Sequence, residues 1–416
     1  MTAPKLRFKE FDGDWGKKKF SEQFNFHNTN SYSRALLAEQ GEIMNIHYGD
    51  IHTKFSMLFD VKEEAVPFLS GEVDTNKIAE NQFLQVGDLV IADASEDYKD
   101  IGKAIEVINL DNQKVVAGLH TYIARPVERC AIGFNGYLMQ TFEVREQIKK
   151  LATGISVLGI SKTNLGKVEL KIPCLAEQTK IASFLSAVDE KISQLSQKLH
   201  LLGQYKQGMM QKLFSQQLRF KADDGNEFRE WSNKTIGDVA NIKRGASPRP
   251  INDSKWFDDS SSIGWVRISD VSKSKKYLLQ TEQYLSTLGI QKSRLVPKGN
   301  LIMSICATIG KPIYTGFDVC IHDGFVVFSE LQAIHEYAYY YLEYIEKNWY
   351  QYGQAGTQVN LNSDIVSNEA FPFPCLEEQT KIANFLSAID QKIDVVSEQL
   401  EQAKLWKKGL LQQMFV

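Results

Sequence analysis

The sequence has five cysteines, Cys130, Cys174, Cys306, Cys320 and Cys375, and no two of them form a CxxC pair. An odd, scattered set excludes a zinc ribbon and a disulfide framework. The seven histidines are equally dispersed, and the closest pair, His47 and His52, lacks carboxylates at ligand spacing, so no metal centre is expected. No apolar run approaches the ~18 to 20 residues of a membrane span. The segment Met1 to Glu10 carries two Lys and one Arg with no apolar stretch after it, unlike a secretion signal. A cytoplasmic location is therefore expected. A basic excess is also missing: net charge is −3 and the pI is near 6.2, against a nonspecific polybasic nucleic-acid binder. Catalytic signatures are absent too. Gly102-Lys103 and Gly310-Lys311 lack the upstream glycine of a Walker loop, no Asn-Pro-Pro-Tyr or glycine-rich cofactor loop occurs, and Asp60-Val61-Lys62 has only the local D-x-K form. The chain is expected to be no enzyme by itself and to bind no cofactor.

What is present is a module written twice. PCLAEQTKIASFLSAVDEKIS, from Pro173 to Ser193, returns as PCLEEQTKIANFLSAIDQKID from Pro374 to Asp394, identical at 16 of 21 positions with an offset of 201 residues. YKQGMMQKLF from Tyr205 is answered by WKKGLLQQMF from Trp406 at the same offset. Upstream of each copy lies a more divergent region with fainter echoes. LRFK occurs at Leu6 and at Leu218, followed by Trp15 and Trp231. MNIHYGDI (Met44 to Ile51) resembles WVRISDV (Trp265 to Val271), and VGDLVIA (Val86 to Ala92) resembles KGNLIMS (Lys298 to Ser304). An Ile-Gly-Lys follows each, ending at Lys103 and Lys311, and Gly154 and Gly356 stand at similar distances before the repeated proline. Near-identical repeats beside divergent domains fit helices that meet two copies of one partner and domains that meet two different ligands.

Each repeat carries a heptad seam. The first runs Ile181, Leu185, Val188, Ile192, Leu195, Leu199, Leu202, Met209 and Leu213, broken at Lys206. The second runs Ile382, Leu386, Ile389, Ile393, Val396, Leu400, Ala403, Leu410 and Met414, broken at Lys407. A 3.5-residue period held for about five heptads keeps one narrow stripe facing a partner helix. The two seams are expected to pair with each other, antiparallel, relating the domains by a pseudo-twofold axis. Lys206 and Lys407 would set the register, with their stems on the seam and their ammonium groups in water. A helix from Gln178 to Phe214 is about 55 Å long at 1.5 Å per residue.

The upstream regions read as mixed α and β, with short runs such as LVIA, TYIA (Thr121 to Ala124), LIMSI and FVVF (Phe325 to Phe328) between turns. Helices are expected around Thr141 to Leu151 and His335 to Trp349, and the tyrosine-rich stretch Tyr337 to Tyr344 is expected in the core. In the second region, NIKRGASPRP groups Lys243, Arg244, Ser247 and Arg249, and SKSKK adds Lys273, Lys275 and Lys276. Such residues suit guanine and phosphate contacts. The corresponding loop of the first region, NFHNTNSYSR, offers Asn28, Asn30, Ser31, Tyr32 and Arg34, and its Asn side chains suit adenine. Lys103 and Lys311 are further candidates for backbone contacts.

Two divergent domains, each closing on a proline, Leu-x-Glu-Gln-x-x-Ile-Ala-x-Phe-Leu and a heptad helix, resemble the specificity subunit of type I restriction-modification systems over essentially the whole chain. The resemblance implies an α+β protein: target-recognition domain 1 over residues 1–172, a central helical spacer over 173–216, target-recognition domain 2 over 217–373 and a C-terminal spacer over 374–416. It also implies a non-catalytic subunit that binds double-stranded DNA at a bipartite, asymmetric target. Two methyltransferase subunits and the restriction/translocase subunits would be its partners, with S-adenosylmethionine, ATP and Mg2+ bound there and none by this chain. A stand-alone nuclease and a coiled-coil scaffold that never meets DNA are the alternatives.

Overall fold

The computed structural model describes residues 3–352 and 361–415; Gly356 lies outside them. Two units emerge from the packing. One joins the chain up to Ser196 with the segment from Glu398 onward, and the other is Gln197–Ser397. Both cuts fall within a long helix, Leu175–Phe214 or Leu376–Gln413, so each unit holds one mixed domain and part of both helices.

The two domains share the topology of their larger sheet. In unit 1 a five-stranded sheet runs in the order Phe24–His27, Thr121–Pro126, Leu89–Ala92, Ala104–Asn109, Leu58–Asp60, with the last pair parallel. In unit 2 the order is Asn241–Arg244, Phe325–Ser329, Leu301–Ser304, Pro312–Thr315, Tyr277–Leu278, and again the last pair is parallel. Each domain adds a four-stranded sheet with one parallel pair, Ile43–Ile46 with edge strand Lys114–Ala117 in the first and the central strands Gly264–Val266 with Val319–Ile321 in the second. The sequence echoes therefore mark equivalent elements. LVIA and LIMS are the middle strands of the five-stranded sheets, buried at every position, which is why they lack the alternation of a half-exposed strand. Each is entered through a glycine at positive φ, Gly87 at 95° and Gly299 at 85°, a conformation that side chains with a Cβ rarely adopt.

The duplicated Glu-Gln pair explains how each long helix is seated. Glu177 is almost fully buried and accepts two hydrogen bonds from the Arg7 guanidinium, both 2.8 Å. Glu378, 0% exposed, accepts from Arg219 at 3.1 and 2.8 Å and from Trp231 Nε1 at 2.9 Å. The next residue acts identically in both copies. Gln178 accepts from the Ala131 N–H and donates to the Pro173 carbonyl, and Gln379 accepts from the Ile334 N–H and donates to the Pro374 carbonyl. LRFK thus recurs because its arginine answers the buried glutamate, while Phe8 and Phe220 pack edge-on against Phe184 and Phe385. With these contacts the helices begin earlier than the heptads alone indicate, and the first spans 40 residues.

The helix seams are buried where the units are densest. Ile181, Leu185 and Val188 share a core with Leu410, Met414 and Phe415 in unit 1; Met210, Leu213 and Phe214 share one with Ile382, Leu386 and Ile389 in unit 2. Phe184 meets Trp406 and Asp189 meets Lys407, whereas Lys206 meets Asp390, so the helices pair antiparallel. Ile192, Leu199, Leu202 and Ile393 are half-buried, and Leu195, Val396 and Leu400 are buried. After Lys206 the stripe moves from Met209, half-buried, to Met210, buried, because Phe214 is drawn onto Tyr337, Tyr341 and Tyr344.

The expectation that the interrupting lysines reach water is corrected here. Lys206 is 9% exposed and pairs with Glu343 and Asp390, both at 2.8 Å, over the Tyr340 ring. Lys407 pairs with Asp189 over the Tyr137 ring. In each unit the tyrosine hydroxyl donates to the same aspartate, Tyr137 to Asp189 at 2.8 Å and Tyr340 to Asp390 at 2.7 Å. Burial, with the neighbouring aspartate, pushes both hydroxyls upward, so they remain protonated donors. A carboxylate on the facing helix outcompetes solvent at a position where the stem alone would have snorkelled. The tyrosine-rich helix His335–Tyr344 is buried as expected, with Tyr337 and Tyr341 donating to the carbonyls of Pro372 and Ala370.

Several short helices have no counterpart in the sequence pattern, and one of them shows why. Phe134–Gln140 contains Gly136 and lacks a side-chain cap, yet it forms because both oxygens of buried Glu106 accept from its first turn, from the Gly133 N–H at 2.7 Å and the Gly136 N–H at 2.6 Å. Burial raises the Glu106 carboxyl from 4.5 to about 7, against the opposing pull of these N–H groups.

Two outcomes follow for stability. Arg219→Ala leaves the Glu378 charge buried and should cost about 3 to 5 kcal/mol in urea unfolding, part of it recovered in the Arg219→Ala, Glu378→Leu pair; a cost near zero would remove the clamp from the account. Between pH 4.5 and about 7 the folded chain holds the Glu106 proton more tightly than the unfolded chain. Stability should therefore fall as pH rises through that window, and this component of the slope should vanish in Glu106→Gln. An unchanged slope in the variant would contradict it.

Candidate DNA interface

The same two segments meet at the same place in both domains. In unit 1 the loop after Phe24–His27 docks on the turn that follows Lys114–Ala117: the Asn30 N–H donates to the Ala117 carbonyl at 3.0 Å, and Thr29 Oγ1 donates to Thr121. In unit 2 the loop after Asn241–Arg244 docks on the turn that follows Val319–Ile321: the Ala246 N–H donates to the Ile321 carbonyl at 3.1 Å, and Gly245 donates to Phe325. Gly245 is required there, since a Cβ would fall 2.0 Å from the His322 carbonyl oxygen. One scaffold thus presents two chemistries.

In unit 2 that chemistry is cationic and organised by Asp323. Its carboxylate accepts from Ser247 Oγ at 2.7 Å and from Arg249 at 3.0 Å, while its backbone carbonyl accepts from Arg244 Nε at 2.7 Å. Burial works to raise the Asp323 carboxyl, but the Ser247 hydroxyl and the Arg249 guanidinium prevail and hold it below the ordinary range. Arg249 remains 70% exposed at its side chain, and Lys243 and Arg244 are exposed on the edge strand. Arg294 donates from Nε to the Arg244 carbonyl, bringing a fourth cation to the group. Arg244, Ser247 and Arg249 therefore converge on Asp323 with fixed donors, while Lys243 is exposed on the same strand. Arg294 and Asp323 are absent from the sequence reading, because only the fold brings them to that loop.

In unit 1 the chemistry is neutral. Asn28 and Ser31 are exposed and line a cleft. Asn30 is committed to holding the loop, since it donates to Asn45 Oδ1 at 2.7 Å and accepts from the Tyr32 N–H at 3.1 Å. Tyr32 packs against the small core of Ile43, Leu69 and Val116. Arg34 bridges to buried Asp50 at 2.9 Å and lies 3.3 Å from His47 Nδ1, whose ionisation is suppressed by burial and by this guanidinium. About half of the Arg34 side chain stays exposed.

The remaining lysines lie elsewhere. Lys103 donates to the His52 carbonyl at 2.7 Å, and Lys311 to the carbonyls of Val271 and Ser274 at 2.8 Å, so each Ile-Gly-Lys turn caps the C-terminal end of a short helix, Tyr48–Thr53 or Ile268–Lys273. Lys275 pairs with Asp394 of the long helix, and Lys276 is partly buried over Tyr339 and Tyr340, where desolvation lowers its basicity. Lys273 lines the same cavity, of about 790 Å³, as these two lysines. SKSKK is thus directed largely at the spacer helix and is not joined to the Lys243 surface. Among the described residues no group of three His, Cys, Asp or Glu is placed to hold a metal ion, and no helix is long and apolar enough to cross a membrane.

Comparison with known proteins places these features. The type I restriction modification DNA specificity domain matches twice, over residues 13–202 and 229–405. A chain described as the MjaX type I restriction enzyme specificity subunit of Methanocaldococcus jannaschii is 25% identical over 377 residues, covering 86% of this chain and 81% of that one. The MjaVIII specificity subunit of the same organism is 25% identical over 298 residues, covering 66% and 68%. The S subunit of a type I restriction-modification system from M. genitalium has the same fold, with a TM-score of 0.59 at 15% identity over 100% and 99% of the two chains. A chain solved in work on assembly and conformational transition of a type I system gives 0.61 at 15% identity over 95% and 96%. With both family matches falling on the two repeated modules, the chain belongs to the type I restriction-modification DNA specificity family.

Proposed function

We infer that this chain is the non-catalytic, DNA-reading subunit of a cytoplasmic type I restriction-modification complex. Each mixed domain reads one half of a split, asymmetric target in double-stranded DNA, and the paired helices set the gap between the halves. The observation that carries this reading is the duplicated loop-and-turn surface: one scaffold carries cations buttressed by Asp323 in one domain and amides in the other. Forked guanidinium groups suit guanine O6 and N7, and amides suit adenine N6 and N7, so the two halves would differ in sequence. Two methyltransferase subunits dock through the helical modules, whose near-identity fits two copies of one partner, and restriction/translocase subunits complete the assembly. S-adenosylmethionine, ATP and Mg2+ belong to those partners. The nuclease and scaffold alternatives draw on no observation of their own.

Within this reading Lys243, Arg244, Ser247 and Arg249 contact the second half-site, and Asn28, Ser31 and Arg34 the first. Asn30 and Tyr32 shape the loop, Lys103 and Lys311 hold short helices beneath the surface, and Lys273, Lys275 and Lys276 serve the spacer side. The test is the methylation map of cells that carry this gene with its methyltransferase partner. A two-part motif with a fixed gap is expected, absent from cells that lack the gene. Lys243→Ala and Arg244→Ala should relax discrimination about tenfold at positions of one half only, as loss of a good base contact does. Equal loss at both halves would contradict the division of labour, and a map that does not depend on the gene would contradict the function.

A further inference from the structure

The cleft in unit 1 is built from segments far apart in sequence. It has a volume of about 530 Å³, and the loop carrying Asn28 and Ser31 forms one wall. Asn81 and Gln82 come from a short 3-10 turn, Glu80–Gln82, His120 from the turn beyond Lys114–Ala117, and Lys162 from a short helix near the end of the domain. Most of their hydrogen-bonding capacity is uncommitted. Gln82 uses only its oxygen, accepting from the Ala79 N–H at 2.9 Å. His120 lies with Nδ1 3.2 Å from Asp93 Oδ1; the carboxylate, an acceptor only, makes Nδ1 the donor and leaves Nε2 for a ligand. Lys162 rests over the rings of Tyr122 and Phe26, at 5.3 and 5.9 Å, which steadies its stem, and among the described residues its ammonium has no carboxylate partner.

The chemistry of this wall distinguishes what it can bind. A phosphate clamp concentrates cations, yet here Asp93 lines the same cleft as Lys162, so the balance of full charges is near neutral. Side-chain amides, a hydroxyl and one imidazole nitrogen supply donors and acceptors together, as base edges in the major groove require and phosphates do not. The position strengthens the argument, because the His120 turn is the counterpart of the turn that places Asp323 beneath the cations of unit 2.

We propose that this cleft reads base edges of the first half-site, with Asn81, Gln82 and His120 acting beside Asn28 and Ser31, and Lys162 anchoring the adjacent phosphate. The proposal rests on the function inferred above and names the reading residues of its first domain. The amides make at least one recognised position an A·T pair.

The experiment maps methylation in cells producing the complete methyltransferase complex with the wild-type chain, Asn81→Ala, Gln82→Ala or His120→Ala. The expected result is a motif whose second half and gap are unchanged, while the first half becomes degenerate at one position in each variant, an A·T pair for at least one amide. Discrimination at that position should fall about tenfold. The intact second half shows within the same molecule that the variant is folded. Where a variant abolishes methylation altogether, binding of its purified complex to duplexes altered in one half only provides the same readout. A first half unchanged in all three variants, or one relaxed only at G·C positions, overturns the proposal while leaving the function standing. A wild-type chain that yields no two-part motif overturns both.

Discussion

The structure depends on an exchange of lysines. Lys206, on the helix that follows the first domain, is buried among Glu343, Asp390 and Tyr340 of unit 2, and Lys407, on the helix that follows the second, pairs with Asp189 over Tyr137 in unit 1. A buried ammonium costs several kcal/mol unless its partners are in place, so the interaction favours one register of the helix pair far more than it adds net stability. Sliding either helix by one turn would separate each ammonium from the aspartate on the facing helix. The aspartates and lysines lie at the same offset of 201 residues as the rest of the repeat, so a single duplicated module supplies both halves of the lock.

Around that lock the fold separates what is shared from what differs. Arg7 with Glu177 and Arg219 with Glu378 seat the helices, Gln178 and Gln379 tie them to the preceding domain, and the two five-stranded sheets have the same strand order. These contacts hold the domain frame and demand the same residues twice. The loop after the first strand and the turn it meets lie outside this frame. Asparagine, serine and histidine occupy them in one domain and arginine, serine and aspartate in the other, and no backbone contact of the scaffold has to change. That is the arrangement a reader of two different sequences needs, because the loops can vary without altering the paired helices.

Much of this was legible in the sequence for physical reasons. The heptad period and the 16-in-21 repeat announced paired helices, and LVIA and LIMS announced buried strands. Periodicity has no means of showing where a polar interruption goes. Lys206 read as a snorkelling residue because its partners, Glu343 and Asp390, are more than 130 residues away. Helix Phe134–Gln140 was missed because the carboxyl that accepts from its first N–H groups, Glu106, lies on a strand distant in sequence. The basic run SKSKK read as one patch, although Lys275 and Lys276 turn to the long helix and its tyrosine neighbours. The cleft of unit 1 was only half visible: Asn28 and Ser31 lie in one loop, whereas Asn81, Gln82, His120 and Lys162 join them only once the chain is folded.

The central claim is that the locked helix pair sets the gap and the domains set the half-sites. Its most direct test is to insert four residues after Ser196 and four after Ser397 and to map methylation in the complete complex. The added length is about 6 Å, close to two base pairs at 3.4 Å each. The account predicts both half-sites unchanged and a gap longer by one or two base pairs. An unchanged gap, or half-sites altered in sequence, would contradict it.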